Sequence, residues 1–337
     1  MIDQRLSDKI KVISFLCTCM VMYRHAYTHE AFFGTISDKH HSIYNLIAFA
    51  FTNITSIAVP FFFLISGFFF FNKSYYEGNN YFFMLKKKWH TLFIPFCIWN
   101  IMAIYPMWLG GKIMVENHWY LYLFDFLHSD FNGPLWYVRT LMLLMLLSPL
   151  YDWIFFLENW GYKKIEVIVL TVLILYVFYV WCPMDSTTLS NEGCLFFLLG
   201  GILQKHSKYV RYKIPKAMAL SLYLVWALGC FFQWTTYWTG KVFLLLGVVF
   251  FWQFLSYVPF KRLAKWSRYS FFIYVTHFIS LKVMKTILAQ FFYGNEFAAI
   301  ATFLLLPVFV VLLTIKVGKL WNRLSPKTFA IVTGGRN

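Results

Sequence analysis

An all-α integral membrane protein, a bundle of about ten transmembrane helices with both termini cytoplasmic, is the fold class this sequence predicts. Three observations lead there. The 337 residues are 60% hydrophobic and 23% aromatic with only 13% charged, too apolar for a soluble domain of that length. Apolar stretches recur at about the 20 residues a helix needs to cross a hydrocarbon core of about 30 Å. Finally, six basic runs alternate with those stretches and always fall on one side of them: Arg5/Lys9/Lys11, Lys73 with Lys86–Lys88, Lys163/Lys164, Lys205 through Lys216, Lys261/Arg262/Lys265/Arg268 and Lys316 through Arg336. They hold 23 of the 30 Lys and Arg residues. Cytoplasmic loops retain such charge, so the pattern sets orientation as well as class.

The spans lie near 12–28, 44–71, 91–109, 134–157, 165–182, 192–204, 217–236, 241–258, 269–289 and 297–315. The first follows a charged start and lacks a small-residue cleavage site, so it reads as a retained span and not a cleaved signal. Pro60 in the second and Pro149 in the fourth predict kinks. The sixth is short and carries Gly200-Gly201, which suits a distorted helix or one buried among neighbours. Between the third and fourth, Trp119–His128 (WYLYLFDFLH) is aromatic and too short to span, and reads as an interfacial or re-entrant helix. No soluble domain, linker or internal repeat is visible, so residues 1–337 read as one membrane-embedded domain.

The formal charge of +16 sits in short loops beside spans, with no recognisable nucleic-acid motif. It fits attraction to an anionic inner leaflet and not a nucleic-acid partner. The six cysteines show no metal spacing; most fall in spans, where cysteine packs as a small residue. Cys182 and Cys194 flank one outer loop, close enough in sequence to pair.

Ionisable residues inside spans mark functional sites by default. At about 1.5 Å per residue, His25 lies roughly 21 Å above Lys11, and Lys282 the same distance above Arg268. Arg139 enters from outside, about 8 Å below Pro134. A histidine, an arginine and a lysine therefore fall in one outer-half layer, with His277 deeper, near the midplane. The plainer alternatives are that Arg24, Arg139, Lys282 and Lys285 snorkel to outer headgroups, and that His25 is a helix-packing histidine. His25 and His29, at i and i+4, suggest a metal face. No third ligand at defined spacing accompanies them, and the expectation is no metal.

His25, PFFFLISGFFF (Pro60–Phe70), LKKKWHTLFIPF (Leu85–Phe96), GPLWYVRTLMLLMLLSPL (Gly133–Leu150) and YSFFIYVTH (Tyr269–His277) occur in that order. Together they resemble acyltransferase family 3, integral membrane proteins that include bacterial O-acetyltransferases of surface polysaccharides. The resemblance runs over about residues 5 to 320. It implies transfer of an acyl group, usually acetyl, from acetyl-CoA as co-substrate to a hydroxyl of a lipid-linked or polymeric sugar. It also implies a multi-pass protein of the bacterial inner membrane with no bound cofactor.

The family's essential first-span histidine matches His25, as general base or as acyl relay. Its third-span basic motif falls on Lys86, Lys87 and Lys88, where cations would hold CoA phosphates; an ordinary positive-inside loop is the alternative. Two departures stand out. The family's arginine eleven residues before the histidine is Ser14 here, for which Lys11 is the nearest substitute, and a second basic position is Thr91. Trp136 and Tyr137 match an aromatic pair that stacks on a sugar or anchors the helix; with Arg139 and Lys282 they form the expected acceptor-binding set. Ser66 lacks a G-x-S-x-G context and does not read as a nucleophile. Tyr274 and His277 match the ninth-span pattern in a structural role. Glu30, Asp130 and Glu192 are the carboxylates available as acid partner to His25. Because His25 lies nearer the outside, the CoA arm must thread inward or the acyl group must be relayed. The rival function class is a transporter using the same buried charges as a pathway; repeats, common in transporters, are absent.

Overall fold

The computed structural model describes residues 4–34, 42–71, 80–109, 119–149, 190–205, 210–232, 237–258 and 263–335, and no strand occurs among them. Three helical stretches are long and apolar enough to cross a membrane: Ile43–Phe70, Leu263–Phe291 and Glu296–Leu324. Gly133–Leu146, Lys216–Phe231 and Thr239–Leu255 are shorter apolar helices. The fifth expected span, the end of the fourth, Lys163/Lys164 and Cys182 lie outside the described residues. Cys194 is a buried free thiol.

The chain forms two compact units, residues 1–59 with 213–337, and residues 60–212. The first holds α1 (Gln4–His25), α2 (His29–Phe33), α3 (Ile43–Ile54), and later the helices Lys216–Phe231, Tyr237–Leu255, Ser270–Phe291, Glu296–Leu324 and Pro326–Thr333. The second holds most of α4 (Ala58–Phe70), then α5 (Asn80–Lys88), α6 (Ile94–Leu109), α7 (Trp119–His128), α8 (Trp136–Leu146) and α9 (Asn191–Lys205). In the same order the remaining helices of the first unit are α10 to α14.

Prolines set the local departures from α-geometry. Pro60 has no N–H and its ring crowds the carbonyl of Ser56, and the chain answers with a 3₁₀ turn at Thr55–Ile57. The Thr55 hydroxyl donates to the Phe51 and Thr52 carbonyls at 2.8 and 3.1 Å, so backbone groups loosened there are satisfied locally. Pro95 crowds Thr91 in the same way. There the helix widens into a π-turn, Trp89–Phe93, which stacks Trp89 on Phe93 with centroids 4.2 Å apart. The third helix therefore begins at Asn80, earlier than position 91. Lys86–Lys88 stand on its first turns and not in a loop. Ahead of Pro149, α8 ends at Leu146 and Leu147 breaks the helix before it resumes at Ser148; the rest of the expected run to 157 lies outside the described residues.

In the first unit, α1, α3, α12 and α13 meet at Ala26, Ala48, Ala289 and Ala299, with Phe32, Tyr44 and Phe303 filling between them. Small residues at crossings let backbones approach, which matters where lipid supplies no hydrophobic drive between helices. The outward face of α13 is the reverse of a soluble helix: Leu305, Val308, Phe309, Leu312, Leu313, Val317 and Leu320 are exposed while Thr302, Thr314 and Gly318 are buried. An exposed apolar stripe of that length is stable against acyl chains and not against water. Helix α13 continues nine residues past the expected end at 315. The unexpected α14 folds back so that Phe329 packs on Tyr269, Phe272 and Trp321.

In the second unit, α9 is the short, buried helix expected from Gly200-Gly201, inaccessible from Gly193 to Leu198 and again at Gly200 and Gly201. A Cβ added at Gly67 would fall inside the Phe197 carbonyl, and one at Gly200 inside the Leu64 carbonyl. Helices α4 and α9 therefore touch backbone to backbone through two reciprocal glycines.

Candidate active site

His25 is the last residue of α1. The chain turns at Ala26–Thr28 and re-enters a helix at His29, so His25 and His29 do not share a helical face and the metal arrangement suggested by their spacing does not form. His29 instead stacks on Tyr27. Among the described residues, no group of three or more His, Cys, Asp or Glu is placed to hold a metal ion.

The end of α1 carries orphan carbonyls that need donors. Lys285 of α12 supplies them, its Nζ donating to the carbonyls of His25 at 3.3 Å and Tyr27 at 3.1 Å. A cation at a helix C-terminus also interacts favourably with the helix dipole. Lys285 thus holds the terminus in place instead of reaching for headgroups. Tyr27 donates to Asn45 Oδ1 at 3.0 Å, and Thr28 donates its N–H to the Tyr44 hydroxyl at 2.6 Å. Tyr44 N–H in turn donates to Glu296 Oε1 at 2.9 Å, a carboxylate on the first turn of α13. The backbone around His25 is therefore pinned from α3, α12 and α13.

The His25 imidazole is partly exposed and forms no hydrogen bond with a described residue. It packs edge-on to Phe278, centroids 5.5 Å apart, and against the His277 ring at 5.3 Å. Lys282 Nζ stands 5.5 Å over the Phe278 ring, so Lys282 and His25 share a neighbour. His277 was expected one layer deeper. The structure brings the two rings into contact all the same. Glu30 makes no hydrogen bond to His25, and Asp130 and Glu192 belong to the second unit; the polar ring beside His25 is His277, a residue given only a structural role by its sequence pattern.

His277 is fully buried, its Nδ1 is 2.5 Å from the Tyr274 carbonyl, and its Nε2 has no hydrogen-bond partner among the described residues. A carbonyl oxygen only accepts, so Nδ1 carries the proton and Nε2 presents a lone pair. Leaving such an acceptor unsatisfied costs about 1–3 kcal/mol.

The other expected site residues belong to the second unit or the far end of α1. Arg139 is buried in α8 and its Nη1 donates to the carbonyls of His128 at 2.7 Å and Leu127 at 3.4 Å, capping the C-terminus of α7. Tyr137 shares a hydrogen bond with Ser66 Oγ at 2.9 Å, donates to the Phe62 carbonyl at 3.2 Å, and packs on Phe63. Trp136 is half-buried against Phe63. Lys86 and Lys87 are exposed and Lys88 half-buried on α5. Lys11 is exposed and pairs with Asp8 at 3.6 Å, while Ser14 donates back to the Ile10 carbonyl. Neither proximity nor pattern had singled out Lys9. It is buried, with Nζ donating to the Trp252 carbonyl at 2.7 Å and Ser256 Oγ at 2.6 Å, and lies 3.6 Å over the Trp252 ring.

No curated protein and no solved structure matches this chain. The family model described as an acyltransferase domain matches residues 9–317, from α1 well into α13, and so takes in both units and every residue of the His25 site. The chain therefore belongs to acyltransferase family 3, as a membrane protein of acyltransferase type.

Proposed function

We propose that this protein is a ten-span O-acyltransferase of the bacterial inner membrane, a single catalytic domain with both termini cytoplasmic. It moves an acyl group, acetyl as the working case, from acyl-CoA to a hydroxyl of a surface-glycan or lipid-linked sugar. The observation that supports this most is the family match over residues 9–317 together with a partly exposed His25 imidazole that no described group engages. In the proposed reaction an imidazole nitrogen of His25 takes the proton from the sugar hydroxyl. The hydroxyl oxygen bonds to the thioester carbonyl carbon, the C–S bond breaks as the tetrahedral intermediate collapses, and the leaving thiolate takes the proton from His25. The donor's phosphates are assigned to Lys86, Lys87, Lys88 and Lys11. Trp136, Tyr137, Arg139 and Lys282 are assigned to the acceptor side. These roles follow from the family resemblance. Arg139 and Tyr137 are already hydrogen-bonded within the second unit, so shaping a wall is the part that suits them.

The test is mass spectrometry of surface glycans from cells carrying wild type, His25→Ala or no protein, with membrane expression of both forms checked. The expected result is an acyl mass increment that disappears in His25→Ala. An increment that persists in the variant removes His25 from the chemistry. Unchanged glycans in wild-type cells, with transport of a sugar or small anion instead, would overturn the reading.

A further inference from the structure

We infer that His277 is the positioning residue of His25: its Nε2 accepts the N–H of the His25 imidazole and so fixes which His25 nitrogen faces the acceptor hydroxyl. The inference rests on the proposed role of His25 as general base. It is carried by the geometry of α1 and α12, which belong to the same unit.

Three observations combine. The Nδ1–H of His277 is committed to the Tyr274 carbonyl at 2.5 Å, which leaves only Nε2 to interact with anything else. That Nε2 is buried and without a partner, in a helix core where an apolar side chain of similar volume would pack at no such cost. Among the described residues the imidazole in ring contact with it is His25, at 5.3 Å between centroids and 52° between planes, whose nitrogens hydrogen-bond to none of them. With its backbone held by Lys285, His25 has only its side-chain torsions free. A rotation about them turns an N–H toward Nε2 of His277. The second His25 nitrogen then carries the lone pair, as a base must, and its orientation is set by a third group.

His277 gains and loses no proton in this scheme. The proton of the sugar hydroxyl goes to His25 and from there to the leaving thiolate, while the Nε2 lone pair of His277 stabilises the imidazolium that His25 becomes.

The experiment uses membranes from cells expressing the full chain, with radiolabelled acetyl-CoA as donor and the endogenous glycans as acceptor. It reads maximal incorporation and the apparent KM for acetyl-CoA. The variants separate the two ends of the ring. His277→Asn keeps a donor where Nδ1 stands but offers nothing at Nε2; His277→Gln reaches the Nε2 position with an acceptor oxygen; His277→Phe fills the volume with neither. The expected result is a loss of tenfold or more in maximal rate for Asn and Phe, an unchanged KM, and partial rescue by Gln. Thermal unfolding of each purified variant accompanies the rates, and Phe should be at least as stable as wild type. If Asn and Phe keep the wild-type rate while His25→Ala is inactive, His277 is a core histidine and the inference is overturned with the proposed function intact. Should Gln fall as far as Asn and Phe, the acceptor at Nε2 is not what matters, and the inference fails. Where Phe does not accumulate in the membrane, the Asn-against-Gln comparison decides. No incorporation by the wild type would overturn the proposed function itself.

Discussion

Replacing Gly200 by alanine adds one methyl group at the place where α9 crosses α4. Its Cβ would sit 2.7 Å from the Phe68 amide nitrogen, closer still to the Leu64 carbonyl oxygen, against an ordinary contact of 3.4 Å. The obstacle is backbone on both sides, so no rotamer change relieves it. The helices must part by at least about 0.7 Å, and the packing that backbone contact allows is lost over the crossing. Overpacking of this kind costs about 1–3 kcal/mol, a fall of about 3 °C in Tm for a chain of 337 residues at about 2 kcal/mol. Gly67→Ala should behave alike, because its Cβ meets the Phe197 carbonyl. The double variant should lose less than the sum, since parting the helices for one methyl makes room for the other. The assay is thermal unfolding of the detergent-purified chain read by a thiol-reactive dye. Cys194, buried on α9 itself, reports opening of this crossing once the other free cysteines Cys17, Cys19, Cys97 and Cys230 are replaced. Gly294→Asn is the control: nothing lies within 4 Å of its Cβ, and φ is +77°, which asparagine tolerates. Single variants that melt with the wild type would refute backbone contact between α4 and α9, and strictly additive losses would refute the shared crossing.

Three further outcomes are expected. Lys9→Met keeps the apolar stem between α1 and α11 but removes charge-assisted hydrogen bonds to Trp252 and Ser256. It should lower stability by about 2–3 kcal/mol in the same unfolding assay, with no change refuting a structural Lys9. Tyr137→Phe leaves Ser66 Oγ without its partner and should cost about 1 kcal/mol; Ser66→Ala in that background should then be nearly neutral, which a double-mutant cycle measures. Arg139→Gln uncaps α7, so hydrogen exchange at 119–128 should accelerate selectively while α10 to α13 are unaffected. Uniform acceleration throughout the chain would count against the capping role.

The class of this protein was legible because hydropathy and charge act residue by residue along a chain. Apolar length decides what a bilayer accepts, and basic residues stay where translocation would be costly. The short buried helix around Gly200-Gly201, the aromatic helix Trp119–His128 and the resemblance on His25, Lys86–Lys88, Trp136 and Tyr137 were all readable from local pattern. Depth counting even placed Lys282 beside His25 in height, since both counts run along rigid helices of known rise.

What local pattern does not contain is where a helix stops and what its side chains meet. The i, i+4 spacing of His25 and His29 promised one face, but α1 ends at His25, because Lys285 and the turn at Ala26–Thr28 satisfy its last carbonyls there. Arg139, read as an acceptor-side cation, also caps α7 through the Leu127 and His128 carbonyls. His277 was counted deeper than His25 and given a structural role, yet its ring lies against that of His25. Composition and periodicity determined a helical membrane protein with charges worth inspecting. Which charges cap helices, which tie the helices of one unit together and which rings face each other was decided in three dimensions, because hydrogen bonds and ring contacts depend on distance and direction between residues that lie as much as 281 positions apart in the chain.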